Sequence, residues 1–136
     1  MDYEKLKESR NENNPFCRRL GIYVEEIREG YARVTKTVEE DDFNPVEVPH
    51  GGVYFSMADT ACGNAMASHG VYAVTVSASY NFFRSAKAGD HLTAEAREVK
   101  SGRTICFYEV EIRDQAGTLL GNGSFTFYKL DQKITL

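Results

Sequence analysis

Asp59 is the only acidic residue in the stretch HGGVYFSMADTACGNAMASH that runs from His50 to His69. A carboxylate in such a run can serve as a general base or as a nucleophile. Left ionised and buried without partners it costs several kcal/mol or is neutralised, so Asp59 must reach solvent, a hydrogen-bond donor or a ligand. The bland alternative is a structural Asp satisfied by a nearby donor. His50-Gly51-Gly52 opens the stretch, and the first backbone N–H groups of a helix are unpaired donors with a favourable dipole. Either glycine also suits a tight helix entry on conformational grounds alone. A Cys62 thiol nucleophile three residues past Asp59 is the other reactive reading, but no His stands beside it. His50 is read as a cap or brace, and no neighbouring residue completes a metal site around it.

The elements that must position these groups follow from periodicity. Val53, Met57, Ala61 and Ala65 recur at helical spacing, with Ala58, Gly63 and Ala67 small enough for close backbone approach, and Gly70 is placed to end the helix. Before it, residues 22–27 and 31–38 alternate as two strands joined at Glu29-Gly30. Residues 41–49, DDFNPVEVP, carry two prolines and form an irregular loop into the helix. After it, residues 72–84 place Val74, Val76, Ala78, Tyr80 and Phe82 on one face and Thr75, Ser77, Ser79 and Asn81 on the other. Residues 91–100, 103–114 and 118–129 are further strand segments between short turns. At the N-terminus, residues 2–11 form a short helix with a thin apolar stripe, Tyr3 and Leu6, read as a peripheral arm. The expected organisation is an arm over 1–15, a domain over 16–130 and a tail over 131–136, of α+β class, with the helix on one face of an antiparallel sheet. One helix cannot cover five strands, so the architecture calls for a second subunit.

Composition bounds the function. The 136 residues with 42% hydrophobic content make one domain with a core. Sixteen Lys and Arg against 20 Asp and Glu leave a net charge of −4, which argues against non-specific nucleic-acid binding. No apolar run reaches the roughly 18 residues of a membrane span, and the polar start MDYEKLKESRNENN lacks a signal-peptide core. Cys17, Cys62 and Cys106, odd in number and set among apolar residues, read as buried thiols in a reducing compartment, so a cytoplasmic protein is expected.

Asn44, then His50-Gly51-Gly52 six residues on, then Asp59 nine after the His, ahead of a long antiparallel sheet containing FFRSAKAGD at 82–90, resembles the hotdog-fold acyl-CoA thioesterases of the PaaI-like subfamily. The resemblance covers residues 16–128. It implies a hotdog fold, a central helix wrapped by a curved sheet that continues across a dimer, and a homo-oligomer, a dimer or a tetramer built as a dimer of dimers. It implies hydrolysis of an acyl-CoA, phenylacetyl-CoA among the candidates, to free acid and coenzyme A, with no cofactor or metal beyond the substrate's own coenzyme A. Asp59 matches the catalytic carboxylate, Gly51 the residue whose N–H binds the thioester oxygen, Asn44 the amide that helps polarise the carbonyl, and Thr75 the hydroxyl residue that helps Asp59 orient water; His50 stands beside them in the motif. One oxyanion donor is worth about 10²–10³ in rate and a general base about 10²–10⁴. The bland readings are an Asx turn for Asn44 and an ordinary strand hydroxyl for Thr75.

The resemblance places coenzyme A contacts at Phe82, Phe83, Arg84, Ser85, Ala86 and Lys87, with Lys100 and Arg103 beyond them. Departures stand at Glu47, where many relatives have Gly, at Pro49, and at Ser85, where many have Pro. Two other functions compete. Asp42-Phe43-Asn44-Pro45-Val46 matches part of the R-specific enoyl-CoA hydratase signature, but Glu47 takes the place of its His. A non-catalytic acyl-CoA-binding module or a purely structural oligomer would use the same fold without the chemistry.

Overall fold

In the computed structural model, which describes residues 1–136, the chain begins with two helices, α1 (Tyr3–Glu12) and α2 (Pro15–Leu20). The strands β1 (Tyr23–Arg28) and β2 (Tyr31–Thr37) follow, then a 3-10 turn at Glu40–Asp42 and the central helix α3 (Gly51–Ala67). The strands β3 (Val71–Phe82), β4 (His91–Ser101), β5 (Ile105–Arg113) and β6 (Leu119–Lys133) complete it. All pair antiparallel in one sheet of order β1-β2-β4-β5-β6-β3. The sheet has six strands rather than five, because all four alternating segments after the helix form strands.

The helix lies against the concave face of the sheet. Ala58, Ala61 and Ala65 of α3 and Ala32, Ala94 and Ala96 of β2 and β4 are fully buried, and these small side chains bring the helix axis close to the middle strands. Larger residues, among them Met57, Leu92, Tyr108, Ile112 and Phe125, fill the space to either side. Such close packing leaves no space for a ligand beneath the helix, so any site must lie along its flank.

The N-terminal arm is seated in this core rather than peripheral to it. Leu6 is fully buried, and the Asn11 side chain both donates to the Val24 carbonyl (3.0 Å) and accepts from the Val24 N–H (2.8 Å). A side-chain amide thus pairs part of the β1 edge as a neighbouring strand would. At the other end, β6 extends to Lys133, four residues past the expected 129, because Val71 pairs with Lys133 and Ile134 donates to the Gly70 carbonyl.

Strand β3 departs from the strict alternation read from its sequence. Thr75 pairs with Phe127 but Ser77 pairs with Thr126, so a β-bulge at Val76 absorbs one residue. Before the bulge Thr75 faces the helix; after it Ala78, Tyr80 and Phe82 do, while Ser79 and Asn81 line the outer face with Asn122 and Ser124. No helix is long and apolar enough to cross a membrane.

Candidate active site

Asp59 lies half-buried on the flank of α3 that faces β3. The Thr75 hydroxyl donates to its Oδ1 at 2.6 Å, and Oδ2 has no partner in the chain. The bulge makes this bond available, because an unbroken alternation would send Thr75 to the outer face with Ser77 and Ser79. A groove of about 220 Å³ runs from this pair along α3, between the helix and the start of β3, past Gly63 and Ala67 and under Phe127, with Arg10 and Asn14 on its far wall. Asp59 therefore meets both requirements set by its chemistry, a hydroxyl donor and an opening to solvent.

The loop before the helix shows how the remaining residues are placed. His50 caps α3, its Nδ1 accepting from the Gly52 N–H at 2.8 Å, which puts the ring proton on Nε2. The Gly51 N–H is left without an acceptor, as a first-turn donor is. Phe82 covers it loosely, and a Cβ on Gly51 would lie 3.3 Å from that ring. Asn44 makes the Asx turn of its bland reading, its Oδ1 accepting from the N–H groups of Val46 (3.0 Å) and Val48 (3.3 Å), yet its Nδ2 remains unused. Glu47 closes that turn, donating its N–H to the Asn44 carbonyl at 2.9 Å with φ at 64°, the one non-glycine residue in the left-handed region. This is the conformation that the glycine of many relatives would adopt without strain.

Not all the expected residues come together. Gly51 and Asp59 stand eight residues apart on one straight helix, about 12 Å along its axis, too far for both to touch one carbonyl group. Phe82, Phe83, Arg84, Ser85 and Lys87 are exposed beside the start of α3, with Arg84, Ser85 and Lys87 lining an open depression. Ala86 differs from them: it is buried, and its N–H donates to the Tyr54 hydroxyl at 2.9 Å, so its side chain is core and anchors the segment to α3. Lys100 and Arg103 sit at the far end of β4 and in the turn after it, roughly 30 Å from the segment that ends at Lys87, given about 3.3 Å per strand residue. Within one chain these two sets do not form one site.

Other candidates lose their chemistry in the structure. Cys62 is fully buried, and burial followed by the nearby Asp59 charge pushes its thiol well up, the opposite of a reactive thiolate. Asp42, the carboxylate of the hydratase-like signature, is buried in an ion pair with Lys36 (3.0 Å) and accepts from the Glu39 N–H (2.8 Å). No three His, Cys, Asp or Glu side chains converge as metal ligands. Sequence reading missed Asn64, which is buried beside the groove and accepts from Arg10 Nε at 2.9 Å. The available signal was the position of Arg10, four residues past Leu6 on the apolar stripe of α1.

Residues 48–120 match the thioesterase superfamily, and the chain belongs to that family. Its fold is the hotdog fold and its activity class is thioester hydrolysis. It is 39% identical over 104 residues to the acyl-coenzyme A thioesterase PaaI of Escherichia coli, covering 76% of this chain and 74% of that one. The structure of the E. coli PaaI protein superposes with a TM-score of 0.90 at 34% identity, over 94% of this chain and 93% of that one. A hypothetical thioesterase protein of Streptococcus pneumoniae, solved with coenzyme A, superposes with a TM-score of 0.79 at 31% identity, over 83% of this chain and 88% of that one. The same pneumococcal protein has been solved with an Asp→Ala and with a Thr→Ala substitution, at positions 16 residues apart.

Proposed function

We propose that the chain is an acyl-CoA thioesterase that works as a homo-oligomer, with each active site shared between two subunits. The observation that carries this reading is the Thr75 to Asp59 hydrogen bond of 2.6 Å at the mouth of a groove on an unpaired sheet edge. The spacing of Asp59 and Thr75, 16 residues, equals that of the Asp and Thr substituted in the pneumococcal relative.

Strand β3 supplies the argument for a second subunit. It has 12 residues without a charge or a proline, lies at the end of the sheet, and leaves Val74, Val76 and Phe82 about half exposed beside an exposed Phe55 of α3. A long, uncharged edge is a template for another strand, and the residues of β3 after its bulge, Ser77 to Phe82, keep an unbroken register. The opposite edge, β1, is short, bulged, charged and paired in part by Asn11. Two copies joined two-fold along β3 run their central helices antiparallel, and with the axis level with Phe55, midway between the two residues, Asp59 of one copy lies level with Gly51 of the partner subunit and the 12 Å separation is removed. A tetramer of two such dimers is the assembly we favour.

In that arrangement Asp59 Oδ2 takes the proton of a water whose oxygen adds to the thioester carbonyl carbon, or the carboxylate itself attacks that carbon. The carbonyl oxygen, gaining negative charge, meets the Gly51 N–H at the partner's helix start, with Asn44 Nδ2 beside it as a second donor. Collapse breaks the carbon–sulfur bond and the coenzyme A thiolate leaves. On the water route it takes the proton held by Asp59; on the nucleophilic route it leaves an acyl–Asp59 anhydride that a water then hydrolyses to the free acid, restoring the carboxylate and supplying the thiol's proton. Arg84, Ser85, Lys87 and the main chain around Ala86 provide cations and polar groups for the phosphates, and Lys100 and Arg103, distant within one chain, join them only from another subunit. Coenzyme A enters as part of the substrate, and no metal or other cofactor has a part. An aryl-acyl substrate such as phenylacetyl-CoA is the finer expectation, favoured by the likeness to PaaI, and the three buried free thiols fit a cytoplasmic location.

The test is release of free thiol from short, long and aromatic acyl-CoA esters by wild type and Asp59→Asn. Turnover by wild type that falls by about 10²–10⁴ in the variant is expected for loss of a general base. Equal rates would remove Asp59 from the chemistry; binding of the esters without turnover by the wild type would favour the acyl-CoA-binding module.

A further inference from the structure

The groove that holds Asp59 also holds an uncompensated cation. Arg10 projects from α1 onto the groove wall, and its Nε donates to Asn64 Oδ1 at 2.9 Å. Asn64 is 2% exposed and is itself pinned, its Nδ2 donating to the Thr60 carbonyl at 2.8 Å. The guanidinium is thus oriented by a buried, fixed amide. Its two terminal nitrogens have no acceptor in the chain, and no carboxylate lies within ion-pair distance of it. Burial of the residue lowers its pKa, while both terminal nitrogens still reach solvent and so are open to an incoming group. An arginine stays charged there, and an anion or a strong acceptor entering the groove would pair with it in place of water.

Position along the helix says what that partner is attached to. Asn64 follows Asp59 by five residues, about 7.5 Å further along α3 at 1.5 Å per residue. Between them lies Gly63, whose missing side chain leaves its place to the edge of the Phe127 ring, 3.7 Å from where a Cβ would sit, so both line the groove between the carboxylate and the guanidinium. An acyl group whose carbonyl carbon lies at Asp59 advances about 1.2 Å per bond, so about six bonds span that distance and bring the carboxylate oxygens of a six-carbon diacid to Arg10. We infer that Arg10 is a specificity residue that reads the far end of the acyl group, and that the preferred substrates are acyl-CoA esters of about six carbons ending in a carboxylate. This rests on the thioesterase reading above and sets a terminal carboxylate, in place of an aryl group, as the feature its acyl pocket selects. Loss of Arg10 would leave a carboxylate desolvated opposite neutral walls, whereas a methyl terminus would gain from the same change.

The measurement is kcat/KM for hexanedioyl-CoA and hexanoyl-CoA with wild type, Arg10→Met and Arg10→Lys. Wild type is expected to favour the dicarboxylic ester about tenfold or more, Arg10→Met to lose that preference or reverse it, and Arg10→Lys to keep part of it. The ratio of the two esters cancels any general loss of folding or of active enzyme, which would lower both alike. Hydrolysis of hexanoyl-CoA with no preference for the dicarboxylic ester, or an equal fall for both in Arg10→Met, would overturn the role of Arg10 and leave the thioesterase standing. Release from no ester of either kind or of the wider panel would overturn both.

Discussion

Glu47 shows how a single residue can carry a cost that its neighbours impose. The Asn44 turn needs a left-handed residue at its fourth position, and a side chain there costs about 1–2 kcal/mol that glycine avoids. Part of that gain is offset by the extra backbone entropy that glycine loses on folding. Glu47→Gly is therefore expected to stabilise the protein by up to about 1 kcal/mol, seen as a higher urea midpoint with an unchanged slope. The exposed Glu47 side chain points away from the buried core, so the substitution tests the backbone rather than a contact. A lower midpoint would show that the Glu47 side chain contributes an interaction outweighing its strained φ.

At the scale of elements, the loop into α3 is anchored by a buried ion pair. Lys36 of β2 and Asp42 are each under a tenth exposed and 3.0 Å apart, and Lys36 Nζ also donates to the Leu20 carbonyl at the end of α2. The pair ties α2, the sheet and the Asn44 loop to one point. Lys36→Met would leave Asp42 as an unpaired buried charge, at a cost of about 3–5 kcal/mol in urea unfolding. Lys36→Met with Asp42→Leu is expected to recover most of that loss, since the cost arises from the orphaned charge. If the single and double variants were equally destabilised, the pair would be acting through geometry and not charge. The β3 bulge at Val76 works at the same scale: one extra residue decides which hydroxyl Asp59 meets.

The whole molecule is where the site is completed. If each active site takes Asp59 from one subunit and Gly51 from the partner subunit, two inactive variants can repair each other. Gly51→Pro removes the oxyanion donor at a helix position that tolerates proline, and Asp59→Asn removes the carboxylate. Co-expressed in equal amounts, half of the dimers are mixed, and each mixed dimer carries one intact and one doubly altered site. About a quarter of wild-type activity is therefore expected from the mixture, against near none from either variant alone. No recovery, with mixed dimers demonstrated by differently tagged subunits, would confine the site to one chain.

Much of this protein is legible in its sequence because the signals are local. The helix over Gly51–Ala67, its glycine entry and the inward residues Cys106, Tyr108, Val110 and Ile112 of β5 follow from periodicity, which depends only on neighbours along the chain. Asp59 stood out for the same reason, as the one carboxylate in its run. Tertiary structure alone decided the rest, because each case turns on contacts between residues far apart in sequence. The bulge that turns Thr75 inward is set by pairing with β6, and Leu6 and Arg10 acquire their places only when α1 docks on β1 and Arg10 reaches Asn64 of α3. Lys36 and Asp42 become a pair only when the fold buries them together. The 12 Å between Gly51 and Asp59 was implicit in their spacing, yet it gains meaning only from the free edge of β3, which supplies a second helix to span it.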